Sequence, residues 1–167
     1  NHILIFCRLA FLFRRTTEND ITACLVGSDM SISDRAETVS RYDIETILNL
    51  AALLLAVAEA KPLLAWNIGI GSLFNVLEFA REMHCAVFTP SSIGAFGPDA
   101  PKDKTPQDTV RTPHTMYGVT KVTGELLSDY YFRRYGVDTR SVRFPGLIAY
   151  VAPPGGGATD YAVDIFY

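Results

Sequence analysis

The sequence predicts a doubly wound α/β fold, with parallel strands joined by right-handed crossovers. Three observations carry this. Short apolar runs alternate with amphipathic stretches along the chain. Helical stretches begin on capping residues or proline and stop at glycine. Two long stretches rich in Pro, Gly, Asp and Thr each follow a strand. Strand–helix alternation is the pattern of a parallel sheet with helices on its faces. In such sheets ligands sit beyond the carboxyl ends of the strands, which is where those stretches must lie.

The elements follow in order. Ile3–Cys7 and Ile21–Val26 read as short buried strands. Ser33–Tyr42 reads as a helix, since Ser33 can cap its start and Asp34 and Glu37 suit the positive end of its dipole. Ile44–Leu50 is the next strand. Pro62–Met83 has a helical period, with Pro62 suited to the first turn. Leu63, Trp66, Ile70, Leu73, Phe74 and Leu77 form its apolar stripe, in which Trp66 is expected to pack into the core. Cys85–Pro90 is a strand, and Ser91–Pro113 is a loop whose length marks it as functional. Thr115–Tyr135 is a helix ended by Gly136. Arg140–Phe144 is a strand. Pro145–Gly157 is the second irregular stretch, and a further helix starts at Thr159.

Composition bounds the function classes. The chain has 167 residues, 49% hydrophobic and 20% charged, which suits one globular domain. A net charge of −3 gives no basic footprint for nucleic acid, and a small-molecule ligand fits better. Cys7, Cys24 and Cys85 are far apart and odd in number, so reduced thiols are expected rather than a disulfide framework or a metal site. No uninterrupted apolar run reaches the ~18–20 residues of a membrane span. The opening HILIFCRLAFLFRR fits a first strand better than a secretory signal or a mitochondrial presequence.

The chemistry centres on Tyr117-Gly-Val-Thr-Lys121. A Tyr and a Lys one helical turn apart share a face. An ammonium beside a phenol favours the phenolate, which can then take a proton from a substrate hydroxyl. By itself this spacing is as compatible with an aromatic contact and a solvated charge. The second element is Pro90-Ser-Ser-Ile-Gly-Ala-Phe-Gly97 at a strand end. A hydroxyl there can bond both substrate oxygen and phenol. Ser92 is assigned that role, and Ser91 is read as part of a serine-rich turn. Strand, Ser, loop, then Tyr-x-x-x-Lys on a helix is far more specific than either part.

This pattern resembles the extended short-chain dehydrogenase/reductase superfamily, which includes NAD-dependent epimerases and dehydratases. Within it, AALLLAVAE (51–59), TPSSIGAFGP (89–98), TMYGVTKVTGELLSDYYFRRYGVDTRSVRFPGLI (115–148) and PPGGGATDYAV (153–163) resemble the short-chain type of L-threonine 3-dehydrogenase. The resemblance implies a Rossmann-like domain and NAD as cofactor. It implies Tyr117 as proton acceptor, Lys121 as holder of the nicotinamide ribose, and Ser92 as the group that orients the substrate hydroxyl. It places Asp29 and Met30 at the adenine ring and Ala51, within Asn49-Leu-Ala-Ala52, beside the cofactor. Leu147, in Pro145-Gly-Leu147, lies by the nicotinamide, and Thr159 near the substrate. Asp29 is equally suited to a cap or turn, and Thr159 to the N-cap of the last helix. The resemblance implies no metal.

The chain also departs from that family. Its first strand is normally followed by a glycine turn that admits the pyrophosphate. Here Cys7-Arg-Leu-Ala-Phe-Leu-Phe13 follows, and the first glycine is Gly27. Weak NAD binding, or none, is expected unless another element substitutes. Leu55, Gly69 and Ala149 each stand where the family carries a polar residue. A smaller substrate lobe normally follows the TDYA helix, whereas this chain ends at Tyr167. The expected fold is thus one Rossmann-like domain over 1–167, truncated at both the glycine turn and the lobe.

Two functions follow. One is NAD-dependent oxidation of L-threonine, or a similar hydroxy compound, at the 3-hydroxyl to give 2-amino-3-oxobutanoate. Its variant within the superfamily is a nucleotide-sugar epimerase or dehydratase. The other is a catalytically inert remnant. The resemblance further implies a homodimer formed through the Tyr-x-x-x-Lys helix, where Leu126, Leu127, Tyr130 and Tyr131 fit either an interface or the core. A cytoplasmic protein is expected, with a mitochondrion as the alternative.

Overall fold

A computed structural model describes residues 2–7, 21–26, 41 and 44–146. Five parallel strands form the main sheet. These are β1 (His2–Cys7), β2 (Ile21–Val26), β3 (Ile44–Asn49), β4 (Ala86–Phe88) and β6 (Thr139–Arg140), in the order β2-β1-β3-β4-β6. β1 pairs with β2 on one side and β3 on the other, so the strand order reverses at β1. A second, two-stranded parallel sheet joins β5 (Ser91–Ser92) to β7 (Arg143–Phe144). The doubly wound fold expected from the sequence is the one observed. The expected helix at 33–42 lies outside the described residues, apart from Arg41.

Among the residues described from Ile44 on, three helices pack on this frame: α1 (Leu55–Ala60), α2 (Pro62–Met83) and α3 (Met116–Tyr135). Leu73, Val76, Leu77 and Ala80 of α2 meet Ile44, Ile47 and Val87 of the sheet and Tyr131 of α3 in one buried cluster. Apolar side chains removed from water here supply the main drive for folding. Cys85 joins them as a free buried thiol donating to the Ile44 carbonyl at 3.2 Å. Burial raises its pKa.

The structure corrects several expectations. α2 is not a uniform helix: Asn67–Gly71 forms a π turn within it. A π turn takes up an extra residue and shifts the phase of the helix. A stripe drawn at one constant period therefore fails across it. Leu63 is 80% exposed, Trp66 40% and Phe74 47%, whereas Ala65 and Ile68 are buried. Trp66 is not a core residue. α2 is also long and apolar enough to cross a membrane, although charged and polar residues interrupt its apolar run. Its apolar face is nonetheless committed to the sheet. α1 was not anticipated, because its AALLLAVAE segment has no polar face to set a period.

The expected strand Arg140–Phe144 divides into β6 and β7, which belong to different sheets. The break matters, because it lets β7 follow β5 away from the main sheet and carry Ser91–Ser92 toward α3. α3 itself agrees with expectation. Thr115 caps its start by accepting from the Gly118 amide at 3.0 Å, and Gly136 ends it at φ +72°. Of the four apolar positions named on it, Leu127 and Tyr131 pack inward, while Leu126 and Tyr130 face out.

Leu77 is wholly buried at the centre of the cluster. Leu77→Ala is expected to cost about 2–5 kcal/mol. Chemical denaturation read by circular dichroism checks this, and a loss below about 1 kcal/mol contradicts the packing described.

Candidate active site

β4 delivers the chain to Pro90, and β5 follows at once. Side chains alternate along a strand, so adjacent serines must face opposite ways. Ser91 is buried and its hydroxyl donates to Glu125 at 2.6 Å. It is therefore an anchored strand residue rather than part of a simple turn. Ser92 lines a cavity of about 720 Å³ and accepts a hydrogen bond from the Gly94 amide at 3.1 Å. That bond starts a tight 3₁₀ turn, Ile93–Ala95.

The turn brings Gly94 against α3. A Cβ at Gly118 would lie 2.3 Å from the Gly94 carbonyl oxygen, so only glycine lets the two backbones approach this closely. A Cβ at Gly94 would in turn lie 3.2 Å from the Tyr117 ring and 3.5 Å from the Ser92 hydroxyl. The two glycines thus place the phenol and the alcohol around one point. Glu59 of α1 reinforces the helix start, accepting from the backbone amides of Met116 and Tyr117 at 2.6 and 3.3 Å.

Lys121 lies one turn beyond Tyr117. Its ammonium donates to the Pro90 carbonyl at 2.9 Å and stands 5.4 Å from the centre of the Tyr117 ring. Burial lowers its pKa. The hydrogen-bond partner is a neutral carbonyl, so the positive charge remains available to stabilise a phenolate beside it. Ser92, Tyr117 and Lys121 all line the same cavity, along with Leu54, Leu55 and His114. The three residues singled out in the sequence therefore converge.

A smaller adjoining cavity of about 160 Å³ reaches under Lys121. Asn49, Ala51, Gly69 and Thr89 line it. Among the described residues, the Asn49 amide and the Thr89 hydroxyl are buried with no hydrogen-bond partner. Buried polar groups usually find partners, so this position suits a polar ligand or water. It lies where β3 ends, beside the point of strand reversal. The nicotinamide half of a dinucleotide fits these groups: Lys121 and Asn49 offer polar contacts, and Ala51, Pro145 and Gly146 leave room. Asp29, Met30, Leu147, Thr159 and Ala149 lie outside the described residues. The stretch 8–20, where the glycine turn was sought, does as well. Leu55 lines the larger cavity, and Gly69 faces Thr120, so both departures from the family pattern do fall at the site.

The sequence did not reveal the partly buried ion cluster around Glu125. Its carboxylate takes two bonds from Arg143, each 2.8 Å, and further ones from Ser91 and Arg111. Burial alone would raise its pKa. The hydrogen bonds from Arg143, Ser91 and Arg111 outweigh burial and bring it down to about 2. The only available signal was a glutamate one turn past Lys121 on the same helix face, which any solvated helix can carry.

Comparison with known proteins gives the family and the fold. The sequence profile described as "NAD dependent epimerase/dehydratase family" matches residues 7–158. An uncharacterized epimerase/dehydratase of Staphylococcus saprophyticus is 56% identical over 141 residues, covering 83% of this chain and 44% of that protein. The chain thus spans less than half the length of the curated relatives it matches. Among solved structures, L-threonine dehydrogenase from Clostridium difficile superposes with a TM-score of 0.84 at 47% identity, covering 98% of this chain and 59% of the other. A GalE-like L-threonine dehydrogenase from Cupriavidus necator, in its holo form, gives 0.86 at 38% identity, covering 99% and 61%.

Two outcomes follow from the geometry. Gly118→Ala forces a methyl into the Gly94 carbonyl, which should cost about 1–3 kcal/mol by overpacking and separate Tyr117 from Ser92. A thermal melt indistinguishable from the parent chain contradicts that contact. Glu125 has a folded-state pKa below its ordinary value of 4.5. Its contribution to stability is therefore complete above pH 4.5 and is lost as the pH falls toward about 2. Acid titration of the unfolding free energy should show that slope, and Glu125→Gln should flatten it.

Proposed function

We propose, from the premise that this chain belongs to the NAD-dependent epimerase/dehydratase family, that it carries the catalytic centre of an oxidoreductase acting on L-threonine. The observation that carries the proposal is the convergence of Ser92, Tyr117 and Lys121 on one cavity. The choice of L-threonine is supported by the solved relatives named as L-threonine dehydrogenases, at 47% and 38% identity. It is supported as well by the PPGGGATDYAV stretch.

In this reaction the Ser92 hydroxyl donates to the substrate's 3-oxygen and holds it against Tyr117. The Tyr117 phenolate, favoured by the Lys121 ammonium, takes the proton from that oxygen. Bound NAD would supply the acceptor for the C3 hydride. Atoms and charge balance: the alcohol loses one proton to the phenolate and one hydride to the cofactor, giving 2-amino-3-oxobutanoate. Leu54, Leu55, Ile93 and Phe96 give the cavity apolar walls, of which Leu54 and Ile93 are exposed. Lys121 and Asn49 would hold the nicotinamide half through polar contacts.

A second substrate class keeps the same chemistry. The curated relatives are named only epimerase/dehydratase, which suits a nucleotide sugar as the alcohol oxidised. The glycine-free stretch after β1 favours a third outcome, a chain that binds NAD poorly. A homodimer is proposed through the exposed Leu63, Trp66, Phe74, Leu126 and Tyr130 of α2 and α3, in a cytoplasmic setting.

Titration with NAD, followed by threonine oxidation read as nicotinamide absorbance, tests the proposal. Saturable binding and turnover are expected, with Tyr117→Phe lowering kcat by about 10²–10⁴-fold and leaving the melting temperature close to the parent. Turnover of a nucleotide sugar without threonine moves the assignment to epimerase or dehydratase. Absence of NAD binding rejects it in favour of an inert chain.

A further inference from the structure

We propose that Glu125 is a positioning residue that decides which of two adjacent serines meets Tyr117. The inference rests on the reading that Ser92, Tyr117 and Lys121 perform the chemistry, and it adds what holds Ser92 in that role.

Ser91 and Ser92 are chemically identical and neighbours on β5. Because strand side chains alternate, one faces α3 and the other faces the cavity. A slip or flip by one residue exchanges them. β5 is only two residues long and, among the described residues, pairs with β7 alone, so backbone pairing specifies the register weakly. A side-chain anchor is needed, and Glu125 supplies one. Its Oε1 accepts from the Ser91 hydroxyl at 2.6 Å and from Arg143 Nε at 2.8 Å. Its Oε2 accepts from Arg143 Nη2 at 2.8 Å and from Arg111.

These partners come from separate segments. Arg143 lies on β7, directly opposite Ser91 in the pairing register. The same guanidinium donates to the Gln107 carbonyl at 3.0 Å and stacks 5.0 Å from the Phe96 ring centre. Arg111 lies just before the Thr115 cap of α3. One carboxylate on the helix that bears Tyr117 and Lys121 thus fastens both strands of the small sheet and the loop between them. The Glu125 side chain is 11% exposed, so the bonds are shielded from water and from salt. With Ser91 held against α3, Ser92 is left to face the phenol.

The test uses the whole chain, with Glu125→Gln, Glu125→Asp and Ser91→Ala compared with the parent. Ser91→Ala removes one bond without stranding the arginines, so it serves if Glu125→Gln does not fold. Hydrogen exchange is measured at the amides of 91–97 and at the centre of α3. The expected result is faster exchange at 91–97 with the centre of α3 still protected. In the turnover assay, Glu125→Gln and Ser91→Ala should lower kcat by about tenfold or more, with KM for the substrate and NAD affinity within about twofold. Glu125→Asp should recover part of kcat. Unchanged exchange at 91–97, or an unchanged kcat in both variants, overturns the inference. A parent chain that oxidises no alcohol defeats the reading of the reaction, and the exchange comparison then decides the anchoring by itself.

Discussion

Two backbones meet where Gly118 of α3 passes the Gly94 carbonyl, and the placing of Tyr117 beside Ser92 depends on that contact. A side chain at Gly118 would collide with the carbonyl at 2.3 Å. Its absence lets the helix seat directly on the turn that follows Ser92. Tyr117, the residue before Gly118, is thereby held against Gly94 with the Ser92 hydroxyl beside it. A hydrogen bond to a reacting oxygen works over a few tenths of an ångström, and so does this contact. The remaining features of the site act around it.

Charge is arranged on the same helix in two different ways. Lys121 is buried against a neutral carbonyl, so its charge is not cancelled and can act on the phenol. Glu125, one turn on, is surrounded by two guanidiniums and a hydroxyl, so its charge is fully engaged. On the proposed reading, the uncancelled positive charge serves chemistry and the engaged negative charge serves rigidity. The cost of burying each is met differently. Lys121 shows it as a lowered pKa, whereas for Glu125 the hydrogen bonds more than offset burial.

The sheet supplies the setting. Strand order reverses at β1, and β3 ends at Asn49 beside that reversal, where an open-sheet protein leaves a crevice for its ligand. The unpartnered Asn49 amide and Thr89 hydroxyl mark the floor of that crevice as polar. The apolar face of α2 closes the core beneath it. The family to which the chain belongs is described as NAD-dependent, and the crevice offers the polar groups of Asn49, Thr89 and Lys121.

The sequence by itself determined the parallel α/β class and the stop of α3 at Gly136, and with the family resemblance it singled out Ser92, Tyr117 and Lys121 as candidates. The class is written in strand–helix alternation and the helix stop in one glycine, while the three candidates needed the longer pattern of strand, Ser, loop and Tyr-x-x-x-Lys. The tertiary structure alone decided the π turn in α2, the exposure of Trp66, the split between β6 and β7, and the cluster around Glu125. Those depend on which distant segments meet. Arg111, Arg143 and Ser91 lie far from Glu125 along the chain, and no local period encodes their convergence. A constant helical period likewise cannot register one extra residue in a turn. Short-range physics is legible in order along the chain, while long-range pairing is settled only when the chain closes on itself.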